Sequence, residues 1–213
     1  MHPTRRHFLA TALAAAAAPA LAQRRAPDEG IDYKVLDKPQ PVEKAGRIEV
    51  MEFFWYGCPH CYAFEPMLAS WVARLPGDVA FRRLPAQFSA VWQQHAKLYY
   101  TLEAVGEVER VHRKAFDAIH MERMQLVQDT EMIDWAAKSG INRDRFTQAL
   151  GSSEVAGRQA VARAVLNAYG IDGVPAMAVN GRFLTAPSIV GSHERCLQVV
   201  DYLVDQERRN RKA

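Results

Sequence analysis

Cysteine is scarce in this chain, with only Cys58, Cys61 and Cys196 among 213 residues. A domain stapled by disulfides would carry several pairs, so a disulfide framework is excluded. Glycine (12) and proline (11) stand near ordinary shares, which rules out collagen-like and Pro/Gly-rich low-complexity chains. With 49% apolar and 24% charged residues the chain is not disordered, and it can build one domain, or one domain carrying a large insertion. A surplus of one charge is also missing. The formal +3 falls to a single positive charge once residues 1–22, which hold Arg5 and Arg6 and no acid, are set aside. That is no nucleic-acid footprint. The closing Arg208, Arg209, Arg211 and Lys212 read as a solvated tail over 208–213. Past the first residues no stretch approaches the ~20 apolar residues of a membrane span, so the mature protein is expected to be soluble.

The N-terminus reads as an address. Arg5 and Arg6 form a positive start, Phe8 to Ala18 is an apolar run too short to cross a bilayer, and Ala20-Leu21-Ala22 offers small residues for cleavage before Gln23. Residues 1–22 are therefore expected to be a cleavable export signal. Thr4-Arg5-Arg6-His7-Phe8-Leu9 also resembles the twin-arginine export motif, and a general secretory signal fits the same residues. Either route delivers the mature chain to an oxidising compartment.

Two cysteines stand as Cys58-Pro59-His60-Cys61. Closing so short a loop removes little unfolded-chain entropy, so the pair makes a poor structural clip and reads as chemistry. Ahead of it, Ile48 to Trp55 is apolar and aromatic enough for a buried central strand. Behind it, Cys61, Phe64, Leu68, Trp71, Val72 and Leu75 recur at helical spacing until Pro76-Gly77. Pro59 suits the first helical position, which places Cys58 at the N-cap. There the unpaired amides and the positive end of the helix dipole favour a thiolate, and His60 adds charge or a hydrogen bond. Cys58 is expected to be the exposed, low-pKa nucleophile and Cys61 the core-facing resolving thiol. Half a zinc site is the competing reading of this spacing. It needs further ligands, and His95, His112, His120, His193 and Cys196 are scattered without paired spacing, so no metal is expected.

The segment Phe53-Phe54-x-x-Gly57-Cys58-Pro59-His60-Cys61-Tyr62-x-Phe64-Glu65 resembles the active-site segment of the DsbA family of bacterial periplasmic thiol:disulfide oxidases, in the thioredoxin superfamily. Gly173-Val174-Pro175-Ala176-Met177-x-Val179-Asn180-Gly181 resembles that family's cis-proline loop and following hairpin. The resemblance implies an α/β thioredoxin-like fold with an inserted all-helical domain. Its expected divisions are an extension over 23–41, thioredoxin parts over 42–88 and 163–207, and the insertion over 89–162. The residues agree with this layout: strand-like Val79 to Leu84, a hairpin about Asn180-Gly181, and helical runs at Val91–Val105, Glu107–Ile119, Thr130–Ser139, Arg143–Leu150 and Glu154–Tyr169. Ser192 can cap a last helix that buries Cys196 as a small hydrophobe.

By the same resemblance, Glu52, six residues before Cys58 on the strand, is a proton acceptor or relay for the resolving thiol. A structural carboxylate paired with Arg83 is the other reading, and the two are compatible. Pro66 is expected to kink the first helix. Val174 and Pro175 are expected across from the sulfurs, where an extended client can dock. The implied activity is donation of the Cys58–Cys61 disulfide to reduced exported proteins, with no cofactor beyond the cysteine pair. Implied partners are those clients and a membrane quinone reductase of the DsbB type, and a monomer is expected. Alternatives are an isomerase or reductase of the superfamily, whose isomerase kind adds a dimerisation domain that residues 23–41 are too few to build, or a metal-binding or chaperone-like module.

Overall fold

The structure, a computed structural model, describes residues 25–44 and 46–211. The export signal expected over residues 1–22 lies outside the described residues, as does Lys212. Chain order runs β1 (Lys34–Val35), β2 (Ile48–Phe54), α1 (Pro59–Val72), β3 (Val79–Pro85), then α2 (Ala90–Ala104), α3 (Val108–His120), α4 (Asp129–Lys138), α5 (Arg143–Leu150) and α6 (Ser153–Ala168). It closes with β4 (Ala176–Val179), β5 (Phe183–Thr185), α7 (Pro187–Val190) and α8 (His193–Asn210). The fold is therefore a thioredoxin-like sheet and helices interrupted between β3 and β4 by an all-helical insertion.

The sheet order is β1-β5-β4-β2-β3, with β2 parallel to β3 and the remaining pairs antiparallel. All seven residues of β2 are buried, as a strand covered on both faces requires. Ile48 and Val50 pack with Phe64 and Leu68 of α1 and with Cys196, Val200 and Leu203 of α8. Met51 and Phe53 join a second cluster that reaches Leu98, Phe116 and Phe146 of the insertion. One strand thus ties the insertion to the sheet. Its end delivers Cys58 and Cys61 into the cluster that reaches the insertion.

Local chemistry sets the ends of these elements. Pro59 occupies the first turn of α1, where its missing N–H has no intrahelical partner to lose. Asn142, Ser152 and Ser192 cap α5, α6 and α8 by accepting from the amides of Arg145, Val155 and Arg195. The β4–β5 turn has Asn180 at φ 51° and Gly181 at φ 67°, the left-handed pair a two-residue hairpin needs. Gly181 carries a second constraint, because a Cβ there would stand 2.0 Å from the Gln40 carbonyl oxygen.

Several expectations change. The extension over 23–41 contributes an edge strand: β1 pairs with β5, and the amides of Leu36 and Gln40 donate to Arg182 and Gly181 at 2.8 and 2.7 Å. Two residues carry no periodic signal, so only the partner strand makes this a strand. The division expected at residue 162 falls inside α6, which runs unbroken from Ser153 to Ala168. The basic end is no free tail either. α8 continues through Asn210, Arg208 grips Asp78 at 2.6 and 2.9 Å, and Arg211 donates to the Arg47 carbonyl at 2.7 Å. Positive side chains in a last helical turn also suit the negative end of the dipole.

Candidate active site

Cys58 is the N-cap of α1, with extended backbone (φ −84°, ψ 118°) and no side-chain capping bond, so its sulfur is left to face the first-turn amides. Its own amide donates to the Trp55 carbonyl at 3.0 Å, closing the turn that brings β2 into the helix. The Val174–Pro175 peptide bond is cis, and the Val174 carbonyl oxygen stands 3.5 Å from the Cys58 sulfur. Both cysteines are free thiols. Beside them, a groove of about 440 Å³ is lined by His60, Val174, Pro175, Pro187, Ser188 and His193.

The two thiols differ sharply. A hydrogen bond from the Cys61 thiol, working against burial and helped by the amides of Cys61 and His60 and by the charge of His60, draws the Cys58 pKa down to about 6. Burial, the hydrogen bond with Cys58 and the fields of Cys58 and Glu52 push Cys61 far above the ordinary thiol range. Near neutral pH the reduced pair therefore carries one negative charge and one proton, the charge on Cys58. Cys196 is fully buried and is pushed up to about 12, chiefly by burial. It lies outside this pair and packs with α8's apolar face.

Behind the thiols is a buried polar cluster drawn from β2, β3, α1 and α3. Arg83 donates through Nε to Glu52 at 3.1 Å and through Nη2 to Glu65 at 2.8 Å. His112 Nε2 faces Glu65 Oε2 at 3.5 Å, and His112 Nδ1 meets the Tyr56 hydroxyl at 2.9 Å. Burial, opposed by Arg83, raises Glu52 to about 8. Glu65 is also buried, yet His112 and Arg83 outweigh that and hold it below its ordinary value. Burial lowers His112, so its ring is neutral near pH 7.

One expectation for these residues needs correction. Cys58, expected to be exposed, is only 7% exposed, because the Val174–Pro175 segment lies over its sulfur. His60 is exposed, as is Pro59, and its charge is the smallest named influence on Cys58, behind the Cys61 thiol and the amides. Glu52 stands on β2 opposite Arg83 in the parallel register, so pairing with Arg83 and proximity to the thiols coincide. Glu65, His112 and Tyr56 were missed as parts of the site. Tertiary packing alone joins them. The one available signal was Glu65 itself, an acid on the apolar stripe of α1 between Phe64 and Leu68.

Comparison with known proteins agrees with this geometry. The model of the DSBA-like thioredoxin domain matches residues 49–194. The chain is 46% identical over 179 residues to the thiol:disulfide interchange protein DsbA of Azotobacter vinelandii, covering 84% of each chain. It is 39% identical over 199 residues to the DsbA of Burkholderia cepacia, covering 93% of this chain and 94% of that one. The crystal structure of Pseudomonas aeruginosa DsbA superposes with a TM-score of 0.85 at 41% identity, over 88% of this chain and 97% of that chain.

Proposed function

The chain belongs to the DsbA family of thioredoxin-fold thiol:disulfide oxidoreductases, and from that premise we propose how its residues divide the reaction. The redox group is the Cys58–Cys61 pair. In the oxidised enzyme a client thiolate attacks the Cys58 sulfur, the client–Cys58 bond forms, and the Cys58–Cys61 bond breaks with its electron pair leaving on Cys61. A thiolate cannot persist where Cys61 is buried, so the leaving sulfur takes a proton, and Glu52 is the buried acid placed to supply it. A second client thiolate then attacks the client sulfur, the client disulfide forms, and Cys58 leaves as a thiolate.

The observation that carries this reading is the contrast between the two sulfurs at one helix start. Cys58 sits where its thiolate is stabilised, and Cys61 where its own is not. A stabilised Cys58 thiolate favours the reduced enzyme, and that favours oxidation of the client. Half-buried Val174 and buried Pro175 line the groove beside Cys58, where an extended client segment can pair with the backbone of this loop. The clients are reduced proteins arriving in the periplasm, the compartment the N-terminal signal points to. Reoxidation falls to a membrane quinone reductase of the DsbB type.

Peptide oxidation and insulin reduction by the purified protein, its Cys58→Ser form and its Cys61→Ser form test the assignment. Cys58→Ser should abolish both activities, and Cys61→Ser should trap a mixed disulfide at Cys58. Full activity of Cys58→Ser would overturn it.

A further inference from the structure

Beyond the thiols and Glu52, the structure carries a proton-placing device that reaches into the helical insertion. Glu52, Glu65 and Arg83 are buried together, and with His112 neutral two ionised carboxylates against one guanidinium would leave a net negative charge in the core. A buried net charge is expensive, and one proton on one of the carboxylates removes it. The question is which carboxylate holds that proton, and His112 bears on it directly.

The ring's neighbours settle its tautomer. An ionised carboxylate can only accept, so Glu65 opposite Nε2 selects the tautomer with its hydrogen there, and Nδ1 is left to accept from the Tyr56 hydroxyl at 2.9 Å. The hydrogen then sits on Nε2, which faces Glu65 Oε2 at 3.5 Å. Neither of these two atoms meets any other hydrogen-bonding partner among the described residues, so each has only the other to turn to. The other tautomer would aim a lone pair at the carboxylate. Rings of Phe54 and Phe116 pack edge-on to His112 at 5.1 and 5.2 Å between centroids and hold it in place.

The other groups around His112 do not substitute for it. Tyr99 of α2 lies 6.1 Å away, ring to ring, and is itself kept protonated by burial. Glu109 contributes a field from the preceding turn of α3, and Arg83 one from β3. Glu52 Oε1 lacks a hydrogen-bonding partner among the described residues, so Glu52 accepts from Arg83 through Oε2 alone, whereas Glu65 is served by Arg83 and by His112.

We propose that His112 is a positioning residue for the reaction's proton: by holding Glu65 ionised it keeps the single proton of the cluster on Glu52. The inference rests on the function proposed above, in which that proton passes to the leaving Cys61 sulfur. Without the Nε2–H donor the proton moves toward Glu65, and Glu52 becomes an anion facing a sulfur that must leave as an anion. The rate of mixed-disulfide formation should then fall, even though neither sulfur has been touched.

The test uses the full-length protein labelled with carboxyl-13C glutamate, with resonances assigned from Glu52→Gln and Glu65→Gln. At pH 7 the reduced wild type should show Glu52 protonated and Glu65 ionised. In His112→Phe, which keeps a ring and removes both nitrogens, the Glu52 resonance should move to the ionised position and Glu65 toward the protonated one. Mixed-disulfide formation at pH 6.5 should slow by about tenfold, the scale set by one hydrogen bond to a charged group. His112→Gln, which returns an N–H donor, should recover most of both effects. Should His112→Phe fail to fold, Tyr56→Phe frees the ring to present either nitrogen and should move the two resonances in the same direction. Wild-type resonance positions in a folded His112→Phe protein, or in Tyr56→Phe in its place, overturn the proposal. Cys58→Ser serves as the control: mixed-disulfide formation surviving in it counts against the function itself, whatever the carboxyl groups do.

Discussion

Replacing Cys61 with alanine, and separately His60 with alanine, ranks the forces that keep Cys58 ionised. The Cys58 thiol titrates at about 6 instead of near 9, and the Cys61 thiol is the leading cause, with burial opposing it and His60's charge the least of the named influences. A hydrogen bond to a charged group is worth about 1.5–3 kcal/mol, and one pKa unit corresponds to about 1.36 kcal/mol. Cys61→Ala is therefore expected to raise the Cys58 pKa by about one to two units. His60→Ala keeps both backbone amides and the Cys61 thiol, so its rise should be smaller.

The same ionisation sets a redox signature. The folded pKa of Cys58 lies below the unfolded value, so its stabilisation of the reduced form is fully present above the unfolded pKa and is lost as pH falls through about 6. At pH 7 it amounts to about 1.4 kcal/mol, equivalent to about 30 mV for a two-electron couple, less whatever water screens. Absorbance of the thiolate at about 240 nm, followed against pH in the three proteins, gives the pKa values. Equilibration of the wild type in glutathione buffers gives the potential. It should fall by about 59 mV per pH unit below pH 6 and about half as steeply just above, since one of the two protons then no longer accompanies the electrons. A larger pKa rise in His60→Ala than in Cys61→Ala, or a slope unbroken through pH 6, refutes the ordering.

Glu52→Gln should stabilise the reduced fold, because the folded pKa of about 8 lies above the unfolded one near 4.5 and the wild type suffers the difference between them. The gain should reach about 2–3 kcal/mol at pH 7 and vanish near pH 4, read from urea midpoints, while mixed-disulfide formation slows; equal midpoints at both pH values would sink this account. Arg83→Leu strips Glu65 of its 2.8 Å partner in the core and should destabilise the protein by about 3–5 kcal/mol. A loss under 1 kcal/mol in thermal or urea unfolding would mean the carboxylates find water. Cys196, fully buried, should resist alkylation in the native protein, and Cys196→Ala should keep oxidase activity; rapid native labelling would contradict its burial.

Local patterns that one element can express on its own were readable without coordinates. The apolar strand from Ile48, the proline at the first helical position, the Ser192 cap and the Asn180-Gly181 turn each act through their own backbone. Most helix and strand ends shifted by a residue or two, the scale on which fraying makes such boundaries soft, while α1 stops at Val72, short of the Leu75 its apolar spacing reached. β1 and α7 escaped notice because two and four residues hold no period, and each exists only against a neighbour.

The chain by itself determined the chemistry: two thiols at a strand–helix junction, with a second motif far downstream that marks the family. It determined these because thiol spacing, turn residues and amphipathic period are short-range properties. Only the tertiary structure decided how that chemistry is tuned. It laid the Val174 carbonyl over a sulfur 116 residues away in sequence and brought Glu52, Glu65, Arg83, His112 and Tyr56 into one buried cluster. Burial and opposing charges move proton affinities by whole pKa units, and both depend on which distant side chains share the interior, a property no local pattern encodes.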